Sequence, residues 1–101
     1  MSTAELDEMI KALSHPVRRD ILNWLKQPDI FFADQQHSLN LGVCAGMIDQ
    51  KTGLSQSTVS AHLATLQRAG FISSKKVGQW SFFTRNEAVV QAFLARLNEQ
   101  L

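Results

Sequence analysis

Residues 52–63 read TGLSQSTVSAHL and combine a turn signal with the start of an amphipathic helix. Gly53 can adopt the positive φ that ends a preceding helix, and Ser55 is a favourable N-cap for a following helix over about 56–69. The apolar positions of that helix, at i, i+4 and i+7, are Val59, Leu63 and Leu66. Because a short turn containing glycine joins the two helices of a helix-turn-helix, this segment predicts that motif.

The segments on either side of this motif predict a winged arrangement. Residues 43–51 predict a short helix before the turn, with Met47 and Ile48 inward. Residues 71–76 and 80–84 predict two strands joined by a glycine turn, which is the pattern of a β-hairpin. A hairpin that directly follows a helix-turn-helix forms its wing.

The two ends of the chain also predict helices. An apolar stripe predicts a first helix that residues 14–16 break, and a second helix covers about 16–27. Residues 28–42 lack a sustained period and predict a long loop with room for a short turn of helix. Asn86 can cap a final helix. The predicted order is α-α-(loop)-α-α-β-β-α, a single, mainly α domain over residues 1–101 with a β-hairpin wing.

Length and composition restrict the class of protein. The 101 residues fit one domain, and 45% of them are hydrophobic and 19% charged, which is ordinary globular composition. No apolar run approaches the roughly 18 residues of a membrane span. The first residues are polar and acidic rather than a secretory signal, and the single cysteine fits a reducing cytoplasm. A Gly-rich phosphate loop, a paired-carboxylate pattern and a nucleophile–base spacing are all missing, so we expect neither an enzyme nor a cofactor.

Charge is unevenly distributed along the chain, although the net charge is only +1. Residues 51–86 carry five basic side chains and no acidic one, whereas residues 1–50 carry four basic and seven acidic ones. An acid-free stretch of this length indicates a surface that meets an anionic partner, and it coincides with the predicted helix-turn-helix and wing. The alternative is chance clustering.

The outward face of the helix at 56–69, the recognition helix, carries small side chains that would let it approach base edges closely. Gln can read adenine, Ser and Thr can bond bases or phosphates, and a free helix N-terminus attracts phosphate. The candidate DNA-contacting residues of the turn and helix are Ser55, Gln56, Ser57, Thr58, Ser60, Ala61, His62, Thr65 and Arg68, and the wing adds Lys75, Lys76 and Gln79. A plain helical hairpin and a winged-helix protein-interaction module are the alternatives.

Two blocks of the sequence resemble a known family. They are ALSHPVRRDIL at 12–22 and TGLSQSTVSAHL at 52–63, the second continued by LQRAGFI at 66–72. Both are similar to the arsenic-repressor (ArsR/SmtB) family of winged helix-turn-helix transcriptional regulators. The resemblance implies a homodimer that binds a palindromic operator in double-stranded DNA and represses its own operon until an inducer releases it.

The metal sites that the resemblance implies for many relatives are incomplete here. The family's Cys-x-Cys pair falls on Gly42 and Cys44, which leaves one thiol, and soft-metal sites use more than one. Residues 87–101 contain neither His nor Asp, which the family's site on the last helix requires. We therefore expect no metal site of a family kind. A loop site that joins Asp34, His37 and Cys44 is an alternative.

Cys44 is the main candidate sensor. Its predicted position near a helix N-terminus favours the reactive thiolate, so oxidation or an electrophile at this residue could shift the helix-turn-helix. The alternative is an inert, packed side chain. A different sensor would be a pocket for a small apolar ligand lined by Phe31, Phe32 and Leu39, although adjacent rings in a loop more often pack against a core.

The terminal segments 1–14 and 87–101 carry more apolar surface than a monomer of this size readily covers. A symmetric dimer would bury both segments and place two recognition helices one DNA turn apart. The expected interface residues are Leu6, Met9, Ile10, Leu13, Val90, Phe93, Leu94, Leu97 and Leu101. The alternative is that these helices pack only on their own core.

Overall fold

The computed structural model describes residues 1–101 and contains six α-helices, one turn of 3-10 helix and three strands. The helices are α1 (Thr3–Ala12), α2 (Pro16–Lys26), α3 (Pro28–Phe31), α4 (Ala45–Thr52), α5 (Gln56–Arg68) and α6 (Glu87–Gln100). The 3-10 turn is Leu39–Leu41, and the strands are β1 (Val43–Cys44), β2 (Ile72–Val77) and β3 (Trp80–Arg85). The predicted winged helix-turn-helix is confirmed, with α3, the 3-10 turn and β1 as additions. None of the helices combines the length and apolarity that crossing a membrane requires.

Local side-chain signals start the first two helices. The Glu5 N–H donates to Ser2 Oγ at 3.1 Å and the Ser2 N–H donates to the Glu5 carboxylate at 3.2 Å, which forms a capping box for α1. Pro16 occupies the first turn of α2, where its missing N–H leaves no bond unmade. The Val17 N–H donates to His15 Nδ1 at 3.2 Å, so the histidine caps this helix. Both helix starts therefore depend on neighbours in the sequence.

The wing belongs to a three-stranded antiparallel sheet in the order β1-β3-β2. β2 and β3 pair along their whole length, and β1 adds the pairs Val43–Phe83 and Cys44–Phe82. The sequence carries no sign of β1, because an alternating period needs more than two residues to be visible. This short strand attaches the base of the wing to the start of α4.

The core of the domain lies between the helices and the inner face of the sheet. Among its largest fully buried side chains are Phe32, Phe71 and Phe82. The rings of Phe71 and Phe93 meet edge to face with their centroids 5.2 Å apart, a favourable arrangement for aromatic pairs. Burial of Phe71 and Phe93 anchors the start of the wing and α6 to one hydrophobic cluster.

The expected dimer residues fall into three groups according to their solvent exposure. Four of them are buried in the monomer's own core, so the structure corrects their assignment as interface surface: Leu6, Met9, Val90 and Phe93. Leu13 and Leu97 are half-buried against the same core. The exposed group consists of Ile10, Leu94 and Leu101. Sequence pattern identified the apolar helices but did not separate core positions from surface positions.

The segment 28–42 is held to the body of the protein more tightly than a long loop would be. It begins with α3, and Phe32 after it is only 1% exposed. The Gln35 amide donates to the Gly42 carbonyl at 3.0 Å and accepts from the Cys44 N–H at 2.8 Å. Because one side chain satisfies backbone groups at both ends of the turn into β1, the segment is fixed against the sheet.

Candidate nucleic-acid interface

The helix-turn-helix consists of α4, the turn at 53–55 and α5. Gly53 adopts φ 71° and ends α4 in the left-handed conformation that glycine favours. Thr52 Oγ1 donates to the Asp49 carbonyl and accepts from the Leu54 N–H, at 2.9 and 3.1 Å. The Thr58 N–H donates to Ser55 Oγ, which caps α5 as predicted. The turn chemistry read from the sequence is therefore present in full.

The exposed face of α5 carries small side chains at its centre. Ser57, Ala61 and Ala64 lie at helical spacing along that centre, and Arg68 follows at the end of the helix. Most of the predicted DNA-contacting residues of this segment are exposed: Ser55, Gln56, Ser57, Thr58, Ser60, Ala61 and Arg68. Thr65 is half-buried at the edge of the face. Since short side chains keep the helix axis close to a partner, this face suits the floor of a DNA groove.

Two residues of this face are absent from the sequence-based prediction. Ala64 and Gln67 are exposed, and both line a groove of about 270 Å³ between α5 and β3. The same groove is lined by Gln56, Ser60 and Phe83, among others. Continuing the helical spacing of Gln56 and Ser60 by one turn would have found them.

His62 does not lie on the exposed face, so its prediction as an outward, DNA-facing residue is wrong. It is only 9% exposed, and its side chain points toward the start of α2. There the Arg18 guanidinium donates to His62 Nδ1 at 3.1 Å, and the His15 ring lies 4.5 Å from the His62 ring between centroids. Burial lowers the pKa of His62 below its usual 6.5, and the nearby His15 and Arg18 lower it further. His62 therefore belongs to the internal packing of α5.

The wing presents its two lysines on opposite faces of the sheet. Directly paired residues of antiparallel strands share a face, and alternate residues along a strand share a face. Lys76 is paired with Ser81, on the face of Phe83 and of the groove beside α5, whereas Lys75 is paired with Phe82 on the other face. Lys76 is thus the wing cation that accompanies the exposed face of α5, and both lysines are exposed.

The five basic residues of the acid-free segment have different surroundings. Arg85 forms an ion pair with Glu87 at 2.6 Å and donates to a carbonyl of α2. The Lys51 ammonium lies over aromatic rings of α2 and α3, at 5.6 and 5.3 Å from their centroids. Arg68, Lys75 and Lys76 are exposed and have no carboxylate partner. These three cations, all on α5 or the wing, lie beside neither a carboxylate nor an aromatic ring and are available to an anionic ligand.

Cys44 lies at the corner between β1, α4 and the wing. It lies near a helix N-terminus, as the sequence predicts, where it is the N-cap residue of α4, and its side chain is buried. A cavity of about 390 Å³ borders it, with Asp34, His37, Met47 and Trp80 among its lining residues. Cys44 therefore shares this cavity with polar side chains, with a second sulfur-bearing residue and with the Trp80 ring.

The alternative ligand sites do not form as expected. Although Asp34, His37 and Cys44 line one cavity, the structure contains no cluster of three His, Cys, Asp or Glu side chains arranged to hold a metal ion. Phe31 and Phe32 border a shallow recess of about 190 Å³, but Leu39 lines none of the cavities. Packing of these apolar side chains on the core explains why no common pocket opens.

Comparison with known proteins shows similarity to bacterial transcriptional regulators. The family model described as "Bacterial regulatory protein, arsR family" matches residues 44–74. The uncharacterized HTH-type transcriptional regulator YbzH of Bacillus subtilis is 40% identical over 85 residues, which cover 82% of this chain and 85% of YbzH. The transcriptional repressor SdpR of Bacillus subtilis is 31% identical over 86 residues, which cover 85% of this chain and 81% of SdpR.

The fold of the chain also matches a solved winged helix-turn-helix domain. The solution structure of the winged helix-turn-helix DNA-binding domain Mb0332 from Mycobacterium bovis, described as homodimeric, has a TM-score of 0.69 at 22% identity. The alignment covers 96% of this chain and 80% of that domain. Together with the helix-turn-helix geometry, these similarities show that the chain belongs to the ArsR family of bacterial regulatory proteins, which are transcriptional regulators and not enzymes.

Proposed function

We propose that the protein is a homodimeric, sequence-specific DNA-binding repressor that acts in the cytoplasm at a palindromic operator of its own operon. The observation that carries this function is the exposed face of α5, which presents small side chains and Arg68, together with the exposed Lys76 on the sheet face that borders the groove beside α5. Small side chains permit close approach to base edges, and cations without carboxylate partners provide phosphate contacts. The name of SdpR as a repressor supports the direction of regulation.

The start of α5 provides the contacts for phosphate and base. Ser55 and Gln56 stand at the positive end of the helix dipole, where backbone N–H groups attract a phosphate. Gln56 lines the groove beside the wing, and its amide can pair with adenine through two hydrogen bonds. Arg68 at the other end of the helix donates only weakly within the chain, to Thr65 Oγ1 at 3.4 Å, and is available to the DNA backbone.

The dimer is supported by the apolar side chains that the monomer leaves uncovered. Ile10 on α1 and Leu94 on α6 are 44% and 50% exposed, each on a helix whose other side lies in the core. The homodimeric Mb0332 domain has the same fold. A two-fold dimer would place two α5 helices about 34–36 Å apart, in successive major grooves of one face of the duplex.

Selection of duplexes from a random library, followed by fluorescence anisotropy at several salt concentrations, tests the DNA-binding function. We expect Gln56→Ala to reduce the preference for the selected operator by about 1–3 kcal/mol, because a base contact is lost. We expect Arg68→Ala to weaken operator and unrelated duplex alike and to reduce the salt slope by about 1, because a phosphate contact is lost.

Lys26→Ala serves as the matched control, because Lys26 is an exposed cation at the end of α2 and outside the acid-free segment. It should leave both affinities within about twofold, as expected for a surface change away from the interface. Duplex binding that is absent, or independent of salt, would contradict the DNA-binding function and favour a protein-interaction module. A reporter fused to the promoter of the gene itself then distinguishes repression from activation.

We further propose that oxidation of Cys44 releases the protein from DNA. The cavity beside Cys44 admits a molecule as small as hydrogen peroxide, and the thiol occupies the N-cap position of the first helix of the motif. The thiolate sulfur would attack one peroxide oxygen, so that the O–O bond breaks, an S–O bond forms and hydroxide leaves to become water. The sulfenic acid is larger and more polar than the thiol and would strain the packing at the start of α4.

Cys44→Ser is expected to retain operator binding and to lose release by peroxide, measured by anisotropy with and without oxidant. Met47→Leu is the matched control, because Met47 carries the other oxidisable sulfur that lines the same cavity. We expect Met47→Leu to keep the response of the wild type. Full peroxide-induced release of the Cys44→Ser protein would overturn the role of this thiol.

A further inference from the structure

One side chain connects three helices at the inner side of α5. The Arg18 guanidinium donates through Nε to the Ala12 carbonyl at 2.6 Å and through Nη2 to the Lys11 carbonyl at 3.4 Å. Both carbonyls belong to the last turn of α1, and the Lys11 carbonyl also accepts from the Ser14 N–H at 3.1 Å and from Ser14 Oγ at 2.7 Å. The remaining guanidinium nitrogen, Nη1, donates to His62 Nδ1 at 3.1 Å. Arg18 therefore ties α5 to the end of α1 as well as to its own helix α2.

The surroundings of His62 fix the form of its ring. An arginine can only donate hydrogen bonds, so His62 Nδ1 must be the acceptor and must carry no proton. Protonation of the imidazole would turn Nδ1 into a donor that faces another donor and would place a positive charge beside the Arg18 guanidinium. The link therefore exists only while His62 is neutral.

Nearby charges favour the neutral state of His62. From the start of α2, Arg18 and His15 face it, and the rings of His15 and His62 are 4.5 Å apart. From the end of α1, Lys11 contributes its carbonyl to Arg18. No carboxylate pairs with any of them, because both ion pairs of the protein lie elsewhere, at Arg85–Glu87 and Arg96–Glu99. A proton on His62 would thus add to a cluster of positive charge.

We propose that Arg18 and His62 are positioning residues of α5, which hold the recognition helix in its DNA-binding orientation by a link that acidification breaks. This inference rests on the DNA-binding function proposed above. α1 carries the exposed Ile10, so the link connects a helix of the proposed dimer to the helix that reads DNA. When this link breaks, α5 can change its orientation relative to the dimer axis. The two α5 helices of a dimer can then no longer bind both half-sites of the operator at once.

The direction of the pH effect follows from the position of His62. Burial, with His15 and Arg18 beside it, lowers its pKa below 6.5, so the ring is neutral at pH 7.5. The stabilising link is present at pH values above the depressed pKa of His62 and is lost as the pH falls through that pKa. A histidine that contacts phosphate would behave in the opposite way, because its protonation strengthens DNA binding. The sign of the pH dependence therefore separates a positioning role from a contact role.

Operator affinity measured from pH 7.5 to 5.5 at constant ionic strength tests this link. We expect the wild type to lose affinity about fivefold or more, a usual size for coupling between two sites. His62→Asn places an amide oxygen near the position of Nδ1, which can accept from Arg18 but does not titrate, so its affinity should stay constant with pH. His37→Gln, which removes the histidine beside Trp80, should lose operator affinity on acidification as the wild type does.

NMR of the imidazole nitrogens gives a second measurement that does not depend on any variant. We expect His62 to carry its proton on Nε2 at pH 7.5, and its titration midpoint to coincide with the loss of affinity. The positioning role is overturned if acidification strengthens binding or leaves it unchanged, or if His62→Asn keeps the wild-type loss. It is also overturned if the two midpoints differ.

A wild type that binds no duplex at pH 7.5 would contradict the proposed function. The link would still be tested by the His62 titration and by amide shifts of α5 that follow it. Amide shifts of α5 that do not follow His62 would overturn the link itself.

Discussion

Replacing Leu94 with glutamate is expected to convert the protein to a monomer and to weaken operator binding by about 10²- to 10⁴-fold, the usual gain from two linked binding events. Leu94 is 50% exposed on α6, whose other side packs in the core through Val90 and Phe93. A carboxylate at this position remains solvated in the monomer but would be buried without a partner in a dimer interface. Sedimentation velocity and anisotropy on the selected operator measure the two effects.

Ile30→Glu provides the control for this substitution. Ile30 is an apolar residue that is 62% exposed, but it lies on α3 rather than on a terminal helix. We expect the Ile30→Glu protein to remain dimeric and to bind the operator like the wild type. Leu94→Glu should also leave the helical circular dichroism intact, because the side chain is on the surface. A Leu94→Glu protein that still sediments as a dimer would contradict the assignment of α6 to the interface.

Gly42→Ala is expected to reduce the free energy of unfolding by about 3 kcal/mol and to lower Tm by roughly 15 °C. Gly42 adopts φ 104° and ψ −170°, a backbone region that only glycine enters readily. A Cβ atom there would lie 2.8 Å from the Phe83 carbonyl oxygen and 2.8 Å from Thr84 Oγ1, where the turn into β1 meets β3. Because a backbone atom of the sheet cannot move aside alone, β1 and the base of the wing would shift.

Gly46→Ala is the matched control for Gly42→Ala. Gly46 lies in the first turn of α4 with no positive φ, and a Cβ atom there would meet nothing within 4 Å. Alanine favours the helical backbone over glycine, so this variant should be more stable than the wild type by up to about 1 kcal/mol. Urea unfolding of both variants measures the difference. A Gly42→Ala protein as stable as Gly46→Ala would contradict the close approach of this turn to the sheet.

Sequence pattern predicted the helix-turn-helix and the wing because their signals are local. Gly53 ends α4, Ser55 caps α5, and the hairpin forms around Gly78, which has φ 61°. Each of these features involves residues a few positions apart, so they can be read along the chain. Most of the predicted DNA-facing residues are exposed for the same reason, since the period of a helix separates its buried and exposed sides.

The residues of α5 that the sequence pattern misplaced or missed lie at the border between the buried and exposed sides of the helix. His62 occupies the border between the two sides of α5, where hydropathy does not decide the environment. Its side chain turns inward and accepts from Arg18, a residue 44 positions away in the sequence. The omission of Ala64 and Gln67 has a related cause, because only the position of β3 shows that this side of α5 forms a groove.

Local sequence signals specify the winged helix-turn-helix, the residues that cap and end its helices, and the acid-free segment that coincides with it. Turns, caps and periodicity arise from neighbours within a few residues, and charge needs no structure to be counted. Long-range packing sets which apolar residues of α1 and α6 are core and which are surface. It also pairs β1 with the wing and brings Arg18 to His62. These features depend on long-range contacts, whose partners no local pattern along the chain specifies.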